Sequence, residues 1–417
     1  MASKEYLIQE EIIYTELFEP RVILNAIKPK FIQDFLEPFK NHIPTDLTKE
    51  FRLDIRIRKK DNKKYNPFLR LAKPEEAKDI ACIVKDDYEG TYPYKEMEDP
   101  EEIKRMIESG KYKFILFLTE EGEIIGSTCF VVDLKEKKGY LRSLVVKKDW
   151  IGILDAKKAY MVACLVVWNV FKNKISLWWA ETRTADAKTQ YITRECGLRP
   201  IAWFPNKDIF YNKIESDLLI IAYNKDRIEK NRSNKLPEII PSVMGCYSFS
   251  KINYNLETPR LLEHDTIFDK EKILKLQKQI KIHKKEKNYH YIKYKLSFDT
   301  SASYFEFIYT PRVHNFEKTK YKVRNPSELF VFLKTFLSLA NKLNVRYVEA
   351  YVSAYKPFHQ QVFSKIGLTP RGYIPAWKLN HYTNLFEDYI LFNWYKRKIN
   401  EMKLTQESEI LLDFIKA

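Results

Sequence analysis

The sequence predicts an α/β (α+β) protein with two similar domains behind an N-terminal extension. Three observations support this prediction. A short apolar stretch runs directly into a long apolar helix pattern, strand and helix patterns alternate around it, and the second half of the chain weakly repeats the first. The 417 residues are enough for two or three domains with sizeable cores.

The apolar stretch lies at residues 140–172. Residues 140–146 are short and β-branched towards their end, which predicts a strand, whereas residues 153–171 predict a buried helix. The tight connection around Gly152 would aim the free N–H groups and the positive dipole end of the helix at the turn. Such a turn suits an anion like a pyrophosphate, although a strand–helix unit without any ligand is also compatible.

Composition limits the class of protein without choosing a partner. The net charge of +16 favours anions, among them CoA, nucleic acid and acidic lipid. Five scattered cysteines without a CxxC spacing predict buried free thiols in a reducing compartment, and no spacing typical of metal ligands is present. Acidic residues interrupt the N-terminal apolar runs, and no apolar stretch is long enough for a membrane span. We therefore expect a cytoplasmic protein with no membrane partner and no metal.

The N-terminal extension, residues 1–65, has helical patterns, one alternating strand pattern and a charged linker; these lie at 10–17, 30–39, 51–58 and 59–64. From Phe68 onwards the order is strand, two helices, three strands, helix, strand, helix and two strands. The strands are predicted at about 68–71, 114–118, 124–132, 140–146, 176–181, 201–204 and 216–223. The helices are predicted to begin near Pro74, Asp99, Ile153 and Ala187.

This order, with the phrases LRLAKPEEAKDI, EEGEIIGSTCF and AETRTADAKTQYITRECGL, resembles the GCN5-related N-acetyltransferase (GNAT) superfamily over about residues 66–225. The resemblance implies a mixed sheet in which two central parallel strands, 140–146 and 176–181, splay apart and admit acetyl-CoA as co-substrate. It also implies that the pyrophosphate lies on the turn before the helix. The candidate cofactor-binding residues are Leu144, Val145, Val146, Trp150, Ile151, Gly152, Ile153, Leu154 and Lys157.

The phosphate turn departs from the pattern of the superfamily. Ala156 fits the signature and Gly152 stands where glycine is frequent, but the usual Arg is missing and Asp155 adds a negative charge. Nearby lysines either offset that charge or belong to a solvated face; they are Lys147, Lys148, Lys157 and Lys158.

Acetyl transfer to an amine needs a base, donors for the oxyanion and a proton for the leaving thiolate. By resemblance the oxyanion donor is a backbone N–H within residues 144–146. The candidate catalytic residues are Glu181, Tyr191 and Glu215, since Thr193 replaces the frequent tyrosine and residues 66–228 contain no histidine. The alternatives are an ion pair of Glu181 with Arg183 or a lysine, and simple packing of the phenol.

An acidic and aromatic loop between the first two helices of this domain could hold a cationic acceptor. Its candidate substrate-binding residues are Asp86, Asp87, Glu89 and Tyr92. The phrase DDYEGTYPYKEMEDPEEI resembles the corresponding loop of β-lysine acetyltransferases, which favours a small amine or a lysine-like acceptor. A solvated acidic loop without a ligand is the alternative.

The second half repeats the first at an offset of 170, which aligns Gly197 with Gly367 and Pro205 with Pro375. We expect a GNAT domain at 66–228, a degenerate copy at 229–400 that makes an internal pseudo-dimer, and a helical tail at 401–417. Residues 303–309 are the expected equivalent of the strand at 140–146. The residues that follow, up to 336, contain no glycine, and they predict no turn directly into a helix. Only the first copy should therefore bind CoA.

Residues 268–288 read as one basic amphipathic helix. Such a helix is compatible with a nucleic-acid or membrane surface, or with plain solvation of its lysines. The first interpretation of the chain is an acetyl-CoA-dependent N-acetyltransferase acting by direct transfer. A non-catalytic CoA- or ligand-binding regulatory protein on the same fold is the alternative, and a nucleic-acid-associated acetyltransferase is the second alternative.

Overall fold

A computed structural model describes residues 21–23, 29–56, 64–263 and 267–416. The helix expected at 10–17 and nearly all of the linker expected at 59–64 lie outside these residues. The chain divides into two compact units. The first unit comprises Met1–Thr182, Ala187–Arg199 and Ile220–Arg227, and the second comprises Arg183–Asp186, Pro200–Leu219 and Ile228–Ala417.

From Phe68 to Tyr223 the elements follow the expected order, whereas the strand at Arg21–Ile23 and the helix at Lys225–Glu229 were not predicted. Fifteen strands and α-helices lie in the described residues up to 229. They are β1 Arg21–Ile23, α1 Ile32–Leu36, β2 Asp54–Arg56, β3 Phe68–Leu71, α2 Ala77–Asp87, α3 Pro100–Glu108, β4 Tyr112–Leu118, β5 Ile124–Asp133, β6 Lys138–Val146, α4 Ala156–Phe171, β7 Leu177–Arg183, α5 Lys188–Glu195, β8 Arg199–Phe210, β9 Lys213–Tyr223 and α6 Lys225–Glu229. The helices and strands predicted between Phe68 and Glu195 are confirmed to within a few residues.

The remaining elements are β10 Glu238–Ile239, α7 Met244–Tyr254, β11 Arg260–Leu261, α8 Lys270–Gln279, β12 Ile280–Glu286, β13 Ile292–Phe298, β14 Tyr304–Thr310, β15 Asn315–Lys322, α9 Pro326–Lys342, β16 Tyr347–Ser353, α10 Pro357–Lys365, β17 Thr369–Asn380, β18 Leu385–Tyr395 and α11 Gln406–Lys416. In the described part of the chain, no helix is long and apolar enough to cross a membrane.

The first unit is built on a mixed sheet. β3, β4, β5 and β6 pair antiparallel in that order, and β7 joins β6 in parallel. Helix α2 packs on β5 and β6, while α4 packs on α1 and α5. Every residue of α4 from Lys158 to Asn169 is buried, and its Trp168 stacks on Trp178 of β7 with ring centroids 5.9 Å apart. The central strand–turn–helix is thus held in a core on both sides.

The second unit contains a sheet of the same kind. From β12 to β15, each strand pairs antiparallel with the next one along the chain. β15 pairs with β16 in parallel, and β18 lies between β16 and β17. Aromatic side chains fill the space under α9, for example Phe298 on Phe332 at 4.5 Å and Phe305 on Phe336 at 5.2 Å between ring centroids. These buried contacts between aromatic rings therefore fix α9 against this sheet.

The hairpin of β8 and β9 is longer than the sequence predicts. Residues 205–215 were expected to be a loop, but strand continues to Phe210 and only Tyr211 and Asn212, with φ of 49° and 60°, form the turn. The polar residues that suggested a loop are buried within the second unit. The Asn206 amide donates to the carbonyls of Lys396 and Lys398, both at 3.2 Å, so its polar groups find partners that are distant in sequence.

The prediction of which strand in the second half corresponds to β6 is wrong. Residues 303–309 correspond to β14, whereas the strand that pairs in parallel with β16 is β15. Only three residues separate the end of β15 from Pro326, the first residue of α9, so a turn directly into a helix is present after all. β15 carries lysine at alternating positions along its exposed half, and that pattern resembles a loop when no partner strand is known.

The prediction of a single helix at 268–288 is also wrong. Helix α8 ends at Gln279, and β12 pairs with β13 along its whole length, from Ile280 opposite Phe298 to Glu286 opposite Ile292. The backbone pairing overrides the helix propensity of the lysines and glutamate. Of the cysteines, four are buried as expected, but Cys82 is exposed, and all five are free thiols.

Candidate functional site

The two central parallel strands of the first unit diverge. β6 and β7 pair at Lys138 with Leu177, Gly139 with Trp178 and Tyr140 with Trp179, and there the pairing ends. β6 continues to Val146, where it still pairs with β5 through Gly126. The expected splay is therefore present, and in the described part of the chain no strand pairs with residues 141–146 on the side of β7.

A β-bulge lies in the diverging part of β6. Val145 pairs with Ser127 and Arg142 pairs with Cys129, so Ser143 and Leu144 together face Thr128 of β5. Ser143 has a φ of 48°, which is a left-handed conformation that few L-residues adopt. The bulge turns the backbone of Leu144 out of the regular ladder, at the position predicted to supply the oxyanion donor.

The turn between β6 and α4 satisfies most of its own N–H groups. A 3₁₀ turn spans Lys148–Trp150, and the N–H groups of the following residues donate to main-chain carbonyls within the chain. The bonds run from Trp150 to Lys147, Ile151 to Lys148, Ile153 and Leu154 to Trp150, and Asp155 to Tyr65. Gly152 differs, because its φ is 88° and the space beside its Cα is open. The predicted N–H cradle for a pyrophosphate is thus largely engaged within the protein.

Asp155 caps α4. Its carboxylate accepts a hydrogen bond from the Lys158 N–H at 3.1 Å, and the Lys158 ammonium lies 3.6 Å from the same carboxylate. Both side chains are mostly buried. A carboxylate at this position uses the favourable potential of the helix N-terminus that an incoming anion would otherwise use.

All four lysines that could attract a phosphate have carboxylate partners. The pairs are Lys147 with Glu123 at 2.9 Å, Lys148 with Glu89 at 3.7 Å, Lys157 with Glu195 at 3.5 Å and Lys158 with Asp155 at 3.6 Å. Exposed pairs contribute little free energy, and Lys148 is 54% exposed. A phosphate can therefore compete for Lys147 and Lys148 at small cost, whereas Lys158 is fixed inside the protein.

The three predicted catalytic residues lie in different surroundings. Glu181 lies half-buried on β7, in the first unit. Tyr191 is 48% exposed on α5, where the guanidinium of Arg194 lies 5.1 Å from its ring centroid. Glu215 belongs to the second unit and pairs with Arg183, so Arg183 has a carboxylate partner other than Glu181. Glu181 is the only one of the three that is both on the diverging strand pair and partly shielded.

Part of the predicted acceptor loop lines a cleft. The cleft has a volume of about 560 Å³ and lies between α2 and the turn that follows β6. Its acidic residues are Asp79, Asp86, Glu89, Glu123 and Asp149, against the three lysines Lys85, Lys147 and Lys148. Trp150 supplies an aromatic wall. Of the predicted acceptor residues, Asp86 and Glu89 reach this cleft, but Asp87 and Tyr92 are not among its lining residues.

Tyr92 instead belongs to a buried cluster around Arg142, a residue that the sequence did not single out. Arg142 lies directly before the bulge, donates to Glu96 at 2.8 Å and lies 5.7 Å from the Tyr94 ring centroid. Burial acts to lower the pKa of Arg142, but Tyr92 and Glu96 beside it hold that pKa well above its ordinary value. A charge inside an apolar strand pattern was the only sequence signal for this residue.

Comparison with known proteins gives matches among solved structures only. No family model matches the chain, and no curated protein sequence does. A spermidine N-acetyltransferase variant from Vibrio cholerae has 9% identity and a TM-score of 0.32, covering 38% of this chain and 94% of that one. A ribosomal-protein-S5-alanine acetyltransferase from Vibrio fischeri has 16% identity and a TM-score of 0.32, covering 38% and 93%.

A third solved structure is a Vibrio cholerae spermidine N-acetyltransferase in complex with CoA and spermine. It has 10% identity and a TM-score of 0.33, covering 37% of this chain and 94% of that one. All three neighbours are acetyltransferases, and each matches less than two-fifths of this chain. At this level of similarity, the function has to be inferred from the chain's own residues.

Proposed function

We propose that the first unit is an acetyl-CoA-dependent N-acetyltransferase that transfers the acetyl group directly to an amine in a ternary complex. The observation that carries this proposal is the divergence of β6 from β7 after Tyr140, together with the bulge at Ser143 and Leu144. An unpaired strand edge presents N–H and C=O groups that need partners. The two amides of a pantetheine arm can pair with such an edge as an added strand would.

In the proposed reaction, the amine nitrogen attacks the thioester carbonyl, the C–S bond breaks, and the CoA thiolate takes up a proton. A backbone N–H within Leu144, Val145 and Val146 stabilises the oxyanion, and Leu144 is the favoured donor because the bulge turns its backbone out of the ladder with β5. Glu181 is the proposed base that removes the proton of the ammonium, directly or through water. Tyr191 and Glu215 are weaker candidates, since one is solvent-exposed and the other is held by Arg183.

The proposed acceptor is a small or lysine-like amine that enters by way of the acidic cleft. Five carboxylates against three lysines favour a cation there, and the Trp150 ring can contact it. Asp86 and Glu89 are the proposed contacts, while Asp87 and Tyr92 remain predictions. The Arg142 guanidinium fixes Tyr94 and Glu96 close to the bulge, so we assign it a positioning role.

The pyrophosphate of the co-substrate is proposed to lie at the turn around Gly152. Because most N–H groups of this turn are already engaged, we expect half-buried Lys147 and exposed Lys148 to contribute most of the attraction. Asp155 opposes it. The same facts favour the second candidate function, a non-catalytic CoA- or ligand-binding regulatory protein on the same fold.

We further propose that residues 229–400 are a diverged copy of residues 66–228, a division that differs from the two compact units because residues 183–186 and 200–219 of the first copy lie in the second unit. Three pairs of equivalent positions share a positive φ. Ser143 and Lys318 in the bulges and Asn206 and Ala376 in the hairpins have it although they are not glycine, and Gly197 and Gly367 have it after the helices. The hairpin equivalence extends to a hydrogen bond. The Asn206 N–H donates to the Ser216 hydroxyl at 3.0 Å, and the Ala376 N–H donates to Asp388 at 2.8 Å.

The start of α9 supports a single active unit. Buried Glu328 accepts hydrogen bonds from the Ser303 hydroxyl at 2.6 Å and the Arg324 N–H at 2.8 Å. Its carboxylate thus lies in the first turn of the helix that corresponds to α4. A second pyrophosphate there would meet a buried negative charge, which is unfavourable.

The experiment has two stages. Calorimetry of the full chain with acetyl-CoA tests binding, and thiol release in the presence of monoamines, diamines and lysine tests transfer. We expect Glu181→Gln to lower kcat at least about 100-fold while leaving the Kd of acetyl-CoA unchanged. Glu108→Gln, an exposed position on α3, is the matched control. Binding without transfer to any amine would favour the non-catalytic alternative, and no binding at near-millimolar acetyl-CoA would exclude both the enzyme and a CoA-binding regulator.

A further inference from the structure

The positive charge of the chain is concentrated in residues 270–324. This segment holds fifteen Lys and Arg against five Asp and Glu, which is a net charge of +10 out of +16 for the whole chain. It forms α8 and the four consecutive antiparallel strands β12, β13, β14 and β15 of the second unit. The lysines are therefore spread over a sheet rather than along the expected helix.

The strand pairing assembles many of these lysines on one face. Side chains that are neighbours across the strands point to the same side of a sheet, as do alternate residues along each strand. The resulting rows are Lys281, Ser297, Tyr304 and Lys322; then His283, Lys295, Glu306 and Lys320; and then Lys285, Lys293 and Ile308. We call this surface the basic face.

The other face of the same strands is the core of the unit. Phe298, Phe305 and Phe307 point there and contact rings of α9. Helix α8 packs on α9, so it lies on that side as well. On the basic face, by contrast, most of the lysines are exposed: Lys281, Lys285, Lys295, Lys320 and Lys322. Among the described residues, the face thus has exposed lysines on β12, β13 and β15, while the residues of β14 on this face are half-buried.

The charge balance of the basic face remains positive. Lys281 pairs with Asp299 at 2.6 Å and Lys293 pairs with Glu306 at 2.8 Å, both near the surface, where ion pairs contribute little. Glu317 at the rim is buried and accepts the Thr310 hydroxyl. Tyr304 lies within the lysine rows, half-buried, with the Lys295 ammonium 5.5 Å from its ring centroid. An aromatic ring is thereby presented amid cations.

We propose that the basic face binds single-stranded nucleic acid. Lysines two residues apart on a strand are separated by roughly 6.6 Å, and adjacent strands by roughly 4.8 Å, so the charges form a flat grid that a phosphate backbone can follow. Tyr304 offers a ring on which a base can stack, as in other open sheets that bind single strands. A membrane surface is less suitable, because half-buried Ile308 is the one large apolar side chain in these rows.

This binding is separate from the proposed acetyl transfer. It uses residues of the second unit and none of the residues assigned to acetyl-CoA or the amine. Failure of one proposal therefore leaves the other intact.

The test is fluorescence anisotropy of the full chain with a labelled 20-nucleotide single-stranded RNA of mixed sequence, at several salt concentrations. If four to six phosphates are neutralised, log K should fall with log salt at a slope of about −3 to −4. The triple variant Lys285→Gln, Lys295→Gln and Lys320→Gln should reduce the slope by about 2 and weaken binding at least about 10-fold. Tyr304→Ala should weaken binding about 10-fold with little change in slope.

The matched control removes three lysines of α8, on the other side of the sheet: Lys272→Gln, Lys275→Gln and Lys278→Gln. We expect less than about a threefold effect, since these lysines lie away from the bound strand. Equal losses in the two triple variants would overturn the proposal in favour of a diffuse charge effect. Absence of RNA binding at low salt, or lysine-dependent binding to anionic vesicles without RNA binding, would also overturn it.

Discussion

Arg183 holds Glu215 in a bidentate ion pair, with its Nε 2.8 Å from one carboxylate oxygen and its Nη2 2.8 Å from the other. The guanidinium also lies 4.4 Å from the ring centroid of Phe210. Planar guanidinium and carboxylate groups matched in this way fix each other's orientation. Glu215, which the sequence nominated as a base, is therefore engaged in holding the β8–β9 hairpin.

We expect Glu215→Gln to lower stability by about 1–3 kcal/mol and to change acetyl transfer less than Glu181→Gln does. The reason is that the variant leaves the Arg183 charge without its partner. Urea unfolding measures the loss, and a double-mutant cycle with Arg183→Met isolates the pair. Unchanged stability with lost transfer would instead assign Glu215 to the reaction.

We expect Asp155→Asn to tighten acetyl-CoA binding about 3- to 10-fold. Asparagine keeps the capping hydrogen bond of α4 but removes the negative charge that opposes a pyrophosphate. Calorimetry measures the Kd. Asp99→Asn is the matched control, because Asp99 also caps a helix, α3, away from the turn. Equal affinities for wild type and both variants would place the pyrophosphate elsewhere.

Gly152→Asp should reduce acetyl-CoA binding below detection if the pyrophosphate lies on its turn. The substitution adds a negative charge and a side chain at a φ of 88°, in open space. Gly110→Asp controls for backbone strain, since Gly110 also has a positive φ and open space around it. Calorimetry with both variants separates the two effects, and retained binding by Gly152→Asp would refute this placement.

His359 should make stability depend on pH between about 4 and 6.5. Burial, with Lys356 nearby, lowers the pKa of His359 from 6.5 to about 4. The unfolded chain therefore binds a proton in this range that the folded chain does not, so the stabilising contribution is complete above pH 6.5 and is lost as pH falls towards 4. The loss should approach about 3 kcal/mol.

Urea unfolding of the wild type and of His359→Gln between pH 4 and 7 measures this dependence. The unfolding free energy of the variant should change less with pH. The imidazole signal that is present in the NMR spectrum of the wild type and absent from that of the variant belongs to His359, and its titration should give the folded pKa directly. His381→Gln is the control. Parallel profiles for wild type and His359→Gln would contradict the prediction.

Gly139→Ala should destabilise the first unit by about 1–3 kcal/mol, because a Cβ at Gly139 would lie 2.0 Å from the ring of buried Trp178. These two residues are partners in the short parallel pairing of β6 and β7. Thermal unfolding followed by tryptophan fluorescence measures the effect. Adding Trp178→Leu to the alanine variant should cost less than the two changes summed; strict additivity would argue against the contact.

Much of the first unit could be predicted from sequence because its central elements are apolar. Helix α4 and β6 have patterns that few other structures share, and their buried side chains follow from that composition. Arg142 could not be assigned, since its partners Glu96 and Tyr94 lie nearly fifty residues earlier. Its role depends on a bulge that no local pattern announces.

The errors lie where distant pairing decides the structure. β12 and β15 consist largely of lysine and other polar residues, and only their neighbours in the sheet make them strands. Residues 206–208 looked like a loop, yet buried Lys207 reaches Glu349 at 3.4 Å. Similarly, the lysines around the phosphate turn were recognised, but their carboxylate partners were not, because three of those four partners are distant in sequence.

Two early segments of the chain, residues 183–186 and 200–219, already belong to the second unit. The rest of that unit begins at residue 228. Severing the polypeptide near residue 228 would thus strip the β8–β9 hairpin of the carbonyls of Lys396 and Lys398 that bind Asn206. Neither fragment should accumulate when expressed alone, whereas co-expression should restore a complex. Gene fission or loss of one half would then be disfavoured, so the two halves should be inherited as one gene.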